Sequence, residues 1–163
     1  MRKVLYPGSF DPITKGHINI INQACDFFDE VVIAILKNPD KKNYFFTFDE
    51  RFEIIKEIYK NNPKVKVVVS DKKAAADVAL ENGCSGIVRG LRGLSDFDYE
   101  IQLSQTNKEI SDGKINTICF FADGIYQFIS SSKVREIFYL DKDVSRYVDD
   151  TVLEKINEKR KVL

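Results

Sequence analysis

Tryptophan is absent from this 163-residue chain, methionine and histidine occur once each, and the three cysteines, Cys25, Cys84 and Cys119, lie far apart with no CxxC spacing. An odd number of scattered cysteines excludes a disulfide framework and a thiolate zinc site, and fits reduced thiols that each fill a small place in the core. Long apolar runs are missing too: nothing approaches the ~18 residues of a membrane span, and the N-terminal MRKVLYPGSF enters a turn without an apolar signal region. Neither export nor membrane insertion is expected, and a cytoplasmic location is. Excess charge of either sign is lacking, with 25 Lys+Arg against 25 Asp+Glu. Without a global positive field no nucleic-acid partner is expected, so any phosphate binding has to come from local placement, which favours a small anionic ligand. Two phosphate signatures are also missing, GxxxxGK[ST] and GxGxxG, which disfavours Walker-type hydrolysis and ordinary dinucleotide binding. No Cys, His and carboxylate cluster has metal-ligand spacing, so a metal would arrive with a nucleotide.

What is present is an ordinary globular balance, 44% apolar and 31% charged residues, in a length that suits one domain over 1–163. Short β-branched runs at Lys3–Tyr6, Val31–Leu36, Val65–Val69, Gly86–Arg89 and Thr117–Phe121 predict five strands. Segments of helical spacing lie between them, at His17–Phe28, Phe48–Asn61, Lys73–Asn82 and Asp96–Ser111. Strict alternation, with strands apolar at nearly every position, predicts a doubly wound α/β fold with a five-stranded parallel sheet covered on both faces. C-terminal helices follow: one at Ser131–Tyr139, then a helical tail in which Val144, Val148, Val152 and Ile156 recur every four residues. In such sheets ligands bind beyond the carboxyl ends of the strands, so the segments after each strand matter most.

Four of those segments carry chemistry. Tyr6-Pro-Gly-Ser-Phe-Asp-Pro-Ile-Thr-Lys-Gly-His17 leaves a strand, turns, and opens a helix at about Gly16. A helix start offers unpaired N–H donors to an anion, and Ser9 and His17 face the same phosphate-sized space; a plain turn with a surface histidine is the bland alternative. Arg89-Gly-Leu-Arg92 sets two guanidiniums three apart after a strand, with Gly90 allowing close backbone approach. Those arginines suit bidentate phosphate binding or salt bridges to Asp96, Asp98 or Glu100, and both can hold together. Ile129-Ser-Ser-Ser-Lys-Val-Arg135 places three serines ahead of a helix, where capping accounts for one of them. Finally, Lys41 and Lys42 stand in the long loop from Lys37 to Thr47, which has the length and composition of a mobile lid. Anion-binding devices after strands one, two, four and five converge along one edge of a doubly wound sheet.

Gly8-Ser-Phe-Asp-Pro-Ile-Thr-Lys-Gly-His17, Arg89-Gly-Leu-Arg92 with Asp96-Phe-Asp-Tyr-Glu100, and Ile129-Ser-Ser-Ser-Lys-Val-Arg135 together resemble bacterial phosphopantetheine adenylyltransferases, over essentially the whole chain. The T-x-G-H and I-S-S-S elements resemble the wider nucleotidyltransferase superfamily. The resemblance implies a Rossmann-like fold and transfer of AMP from ATP, with Mg²⁺ carried by the nucleotide, to 4′-phosphopantetheine. The products would be dephospho-coenzyme A and pyrophosphate, in the penultimate step of coenzyme A synthesis, by a homohexamer. It further implies that His17 stabilises the transition state, by a hydrogen bond or a positive charge, and that Lys41 and Arg92 complete the catalytic set. Ser9, Lys41, Ala75 and Arg89 would touch the acceptor. Ser9, Phe10, His17, Gly90, Leu91, Arg92, Glu100 and the span Tyr126, Gln127, Phe128, Ile129, Ser130, Ser131 and Ser132 would touch ATP. Departures from the family occur at Phe121–Tyr126, at Lys72–Ala76, and at Asn43-Tyr44 after the lysine pair, which leaves Lys42 open as a substitute for Lys41. A sister adenylyl- or cytidylyltransferase with another phosphate acceptor, and a non-catalytic nucleotide sensor on the same scaffold, are the competing readings; the sensor would have no need of His17.

Overall fold

The computed structural model describes residues 1–37 and 41–162. Strands β1 (Lys3–Gly8), β2 (Glu30–Leu36), β3 (Val65–Ser70), β4 (Gly86–Leu91) and β5 (Asn116–Phe121) alternate with helices α1 (Lys15–Phe27), α2 (Phe48–Ile58), α3 (Ala75–Glu81) and α4 (Leu94–Ile110), and α5 (Ser131–Tyr139) and α6 (Asp150–Arg160) follow. The five strands form one sheet in the order β3-β2-β1-β4-β5, every pair parallel. Strand residues alternate between two cores: Val4, Tyr6, Val31, Ile33, Ile35 and Val88 face one, and Leu5, Val32, Ala34 and Ile87 face the other. This is the α/β doubly wound arrangement expected of near-continuous apolar strands.

Successive strands are added outward to one side of β1 as far as β3 and to the other side from β4 on, and at this switch between β1 and β4 the ladder is shortest. β1 pairs with β2 at six positions, Lys3↔Glu30 to Gly8↔Ile35, but with β4 at only two, Val4↔Gly86 and Leu5↔Ile87. Beyond Leu5 the two strands part and leave a crevice. Pro7, which ended the predicted first strand, is tolerated inside β1 for that reason. Its backbone faces the gap, where a missing N–H breaks no ladder and its carbonyl accepts from Arg89 Nη1 at 3.3 Å.

Three expectations need correction. First, coverage of both faces holds for the central strands but not the edges. Cys119, expected in the core, is exposed on β5, beside Phe121 at 77% exposure. Helix α4 buries only Glu100 and Asn107 and leaves Leu94, Phe97, Tyr99 and Ile101 exposed. Second, Val144, Val148, Val152 and Ile156 are all buried, yet only the last two lie in a helix. Asp143 ties back the Ser145 amide in a turn, and Asp149 caps α6 just before it starts. Third, the loop after β2 is anchored where it is described, because Phe45 and Phe46 donate their amides to Asp11; residues 38–40 of the expected lid lie outside the described residues. No helix among the described residues is long and apolar enough to cross a membrane.

Candidate active site

A cavity of about 430 Å³ fills the crevice, lined by the ends of β1 and β4, the first turns of α1 and α5, and Lys41. Thr14 caps α1, its side chain accepting from the His17 amide, while the His17 ring accepts in return from the Thr14 amide. That second bond, 3.0 Å from Thr14 N to His17 Nδ1, decides the tautomer: a backbone N–H needs a lone pair, so the ring proton sits on Nε2. Burial, reinforced by the nearby Arg92 and Arg89 guanidiniums, pushes the imidazole down to about 4. With Nδ1 accepting and burial lowering its basicity, His17 offers an Nε2–H donor, which favours a hydrogen bond over a positive charge. Phe10 holds the ring from one side, edge-on at 5.2 Å, from a left-handed backbone at φ 47.

Ser130 caps α5 by accepting from the Lys133 amide. Ser131 Oγ donates to the Pro12 carbonyl at 2.7 Å, and Ser132 Oγ accepts from Arg135 at 3.2 Å. Each of the three serines thus has its own structural task, and all three line the cavity. The α1 and α5 N-termini bring partial positive charge to the same space as Lys41, Arg89, Arg92 and Arg135. The two lining carboxylates are already engaged. Glu100 accepts from Arg89 Nε and Nη2, both at 2.8 Å, and Asp96 accepts from Arg92 Nε at 3.3 Å. The salt-bridge reading of the arginine motif is present in full, and both arginines also line the cavity. The net field at the cavity favours a polyanion.

Of the residues expected to act, Ser9, His17, Lys41, Arg89, Gly90, Arg92, Glu100, Tyr126, Ile129, Ser130, Ser131 and Ser132 line this cavity. Between the two lysines, Lys41 lines it, whereas Lys42 is exposed and is not among the lining residues. Phe10 and Leu91 are buried behind the wall, and Gln127 and Phe128 are exposed outside it. Ala75 opens α3 and packs on the core of the other face. Gly90 has a second reason to be glycine: a Cβ there would meet Ile20 Cγ1 of α1 at 2.8 Å. Gly90→Ala is expected to cost about 1–3 kcal/mol by overpacking, read as a lower denaturant midpoint at unchanged m-value.

Thr14, Tyr6, Tyr99 and Arg135, which the motifs contain but to which they assign no ligand contact, also line the cavity, and the fully buried Asp11 and Arg51 lie behind it. The signal for Asp11 and Arg51 would have been their partners, which sequence does not display. Among the described residues no group of His, Cys, Asp or Glu could hold a metal ion, and both lining carboxylates are held by arginines. These residues fit a divalent cation only as part of a bound polyphosphate.

The cytidylyltransferase-like family model matches residues 5–137. Over 157 residues, 96% of this chain and 95% of the relative, the sequence is 44% identical to the phosphopantetheine adenylyltransferase of Finegoldia magna. It is 41% identical to that of Frankia alni over 98% of both chains. The chain belongs to the phosphopantetheine adenylyltransferase family. A third member, from Nautilia profundicola, is 40% identical over 93% of this chain and 97% of its own. The family match spans the strand ends and helix starts that frame the cavity, so the polyanion site described above lies in the shared part of the chain.

Proposed function

We propose that the protein transfers the adenylyl group of ATP to 4′-phosphopantetheine, releasing dephospho-coenzyme A and pyrophosphate, as the penultimate step of coenzyme A synthesis. The observation that carries this is a polyanion cavity at the β1/β4 switch whose only histidine is a neutral N–H donor. Such a site has no need of a general base, because the acceptor's phosphate has a second pKa of about 6 and arrives largely dianionic. Its oxygen attacks the α-phosphorus as the bond to pyrophosphate breaks. Charge gathers on the α-phosphate oxygens, where His17 Nε2–H, Lys41 and Arg92 stabilise it by alignment and hydrogen bonding. Mg²⁺ would be held by the ATP phosphates rather than by protein side chains, and would supply charge neutralisation at the pyrophosphate leaving group. Ser9, Lys41 and Arg89 hold the acceptor; Gly90, Glu100, Tyr126 and the capping serines hold ATP. Phe10 and Leu91 contribute through backbone or packing, and Ala75, Gln127 and Phe128 do not line this cavity.

Residues 1–163 act as one nucleotidyltransferase domain, since both cores are built on strands of the same sheet. The exposed apolar side chains of α4 and β5 support a homo-oligomer, taken as a hexamer, and the three free cysteines suit the cytoplasm. The test is pyrophosphate release with ATP, Mg²⁺ and 4′-phosphopantetheine, beside nicotinamide mononucleotide and glycerol phosphate, with products identified by mass. Dephospho-coenzyme A formed with phosphopantetheine alone upholds the reading. Turnover with another acceptor points to a sister enzyme, and ATP binding without any turnover to a sensor.

A further inference from the structure

Asp11 is fully buried and surrounded by donors from a loop 30 to 35 residues away in sequence. Its Oδ2 accepts from Lys41 Nζ at 2.8 Å and from the Phe45 amide at 2.8 Å, and its Oδ1 accepts from the Phe46 amide at 2.7 Å. A buried carboxylate is stable only when its lone pairs are filled in this way. Asp11 does not line the cavity, but Lys41 does. The backbone around it holds other lining groups: the Asp11 carbonyl accepts from Arg135 Nη1 and the Pro12 carbonyl from Ser131. On the far side, Arg51, 1% exposed, donates to the Ser9 carbonyl at 2.7 Å and lies between the Tyr44 and Phe48 rings at 4.2 and 4.3 Å. Arg51 supplies the buried positive charge that faces Asp11 from that side.

We infer that Asp11 is a positioning residue that acts through Lys41: it fixes the loop after β2 to the first loop by two amides, and its carboxylate holds the Lys41 ammonium at the rim of the cavity. A lysine on a free loop would have four rotatable side-chain bonds to order at each turnover. Held by Asp11, it meets the reacting phosphate already placed, which is where preorganisation gains rate. This rests on the proposed adenylyl transfer.

The test is a double-mutant cycle in the full chain, with kcat and KM for both substrates measured for wild type, Asp11→Asn, Lys41→Ala and the double variant, and thermal midpoints recorded for each. Asp11→Asn is expected to lower kcat at least tenfold while changing KM for ATP less than threefold. The loss should vanish once Lys41 is gone, so that the double variant matches Lys41→Ala within about twofold. Multiplying losses, or an Asp11→Asn variant with unchanged kcat, would overturn the inference. Wild type without turnover would instead overturn the functional reading. If Asp11→Asn does not fold, acylation of lysines in wild type, mapped by mass, decides. Lys41 modified at least tenfold more slowly than exposed Lys42 upholds the ion pair, and equal rates overturn it.

Discussion

Alanine at position 17 is expected to cut kcat by about 10²–10³-fold, the loss typical when one donor to a developing oxyanion is removed, while ATP affinity stays within a few-fold. The contact strengthens mainly as the α-phosphate crowds with negative oxygen, so it shows in kcat rather than in ground-state binding. The fold should survive. The α1 cap loses one of its two reciprocal bonds, a cost of about 1 kcal/mol. Because the imidazole is held down to about 4, His17 should add no titration to kcat near pH 6.5, and any fall on the acid side of neutrality should track the acceptor phosphate, whose second pKa is about 6. The stability contribution has the matching sign. Below the unfolded-state value near 6.5 the unfolded chain takes up a proton that native His17 refuses, so stability falls as pH drops from about 6.5 toward 4. His17→Ala should remove that part of the pH dependence, which denaturant midpoints at pH 7.5 and 5 would measure. Near-normal turnover would remove His17 from the mechanism.

Arg89→Ala is expected to do two things at once. Arg89 and Glu100 form a bidentate pair in which the Glu100 side chain is 8% exposed and that of Arg89 22%. Deleting the arginine leaves a carboxylate buried without its partner. Full burial would put the cost at about 3–5 kcal/mol, and the partial exposure of Arg89 places the expected loss near ~3. Acceptor binding should weaken as well, since the Nη1 that spans to Pro7 lies at the mouth of the switch-point crevice. The two effects separate in Arg89→Met combined with Glu100→Gln, which should recover most of the stability and none of the acceptor affinity. Titration with 4′-phosphopantetheine and a denaturant series on both variants would read this. An unchanged acceptor titration for Arg89→Ala would take Arg89 out of the binding site, leaving it a purely structural ion pair.

The covered central sheet was written into the chain, because apolar strands separated by helical periods have one stable packing in water. Val31–Leu36 reads as buried on both sides, and all of it but the half-buried Leu36 is. The edges were not legible: nothing in Asn116–Phe121 alone says that it ends the sheet, and the hydrophobics of α4 carry no mark of being left outside. Ser131–Tyr139 matched as a helix because its capping serine and apolar spacing are local, whereas Val144 and Val148 kept the period of a helix while lying in turns. Capping periodicity cannot see an Asx turn two residues away from its own anchor.

The sequence by itself determined the parts of the site: a helix-opening Thr14 to His17, a pair of arginines at a strand end, serines before α5, and lysines after β2. Those are short-range patterns, set by capping and turn chemistry within a few residues. Only the tertiary structure decided how they combine. Strand order placed β4 beside β1 and opened the crevice after two paired residues, a long-range choice invisible to local spacing. The same packing buried His17 beside Arg92 and Arg89 and so lowered its proton affinity, whereas its tautomer is set locally by the Thr14 amide three residues away. It also set a buried Asp11 behind Lys41, because a carboxylate without water must find donors wherever the fold brings them, here from a loop 30 residues on.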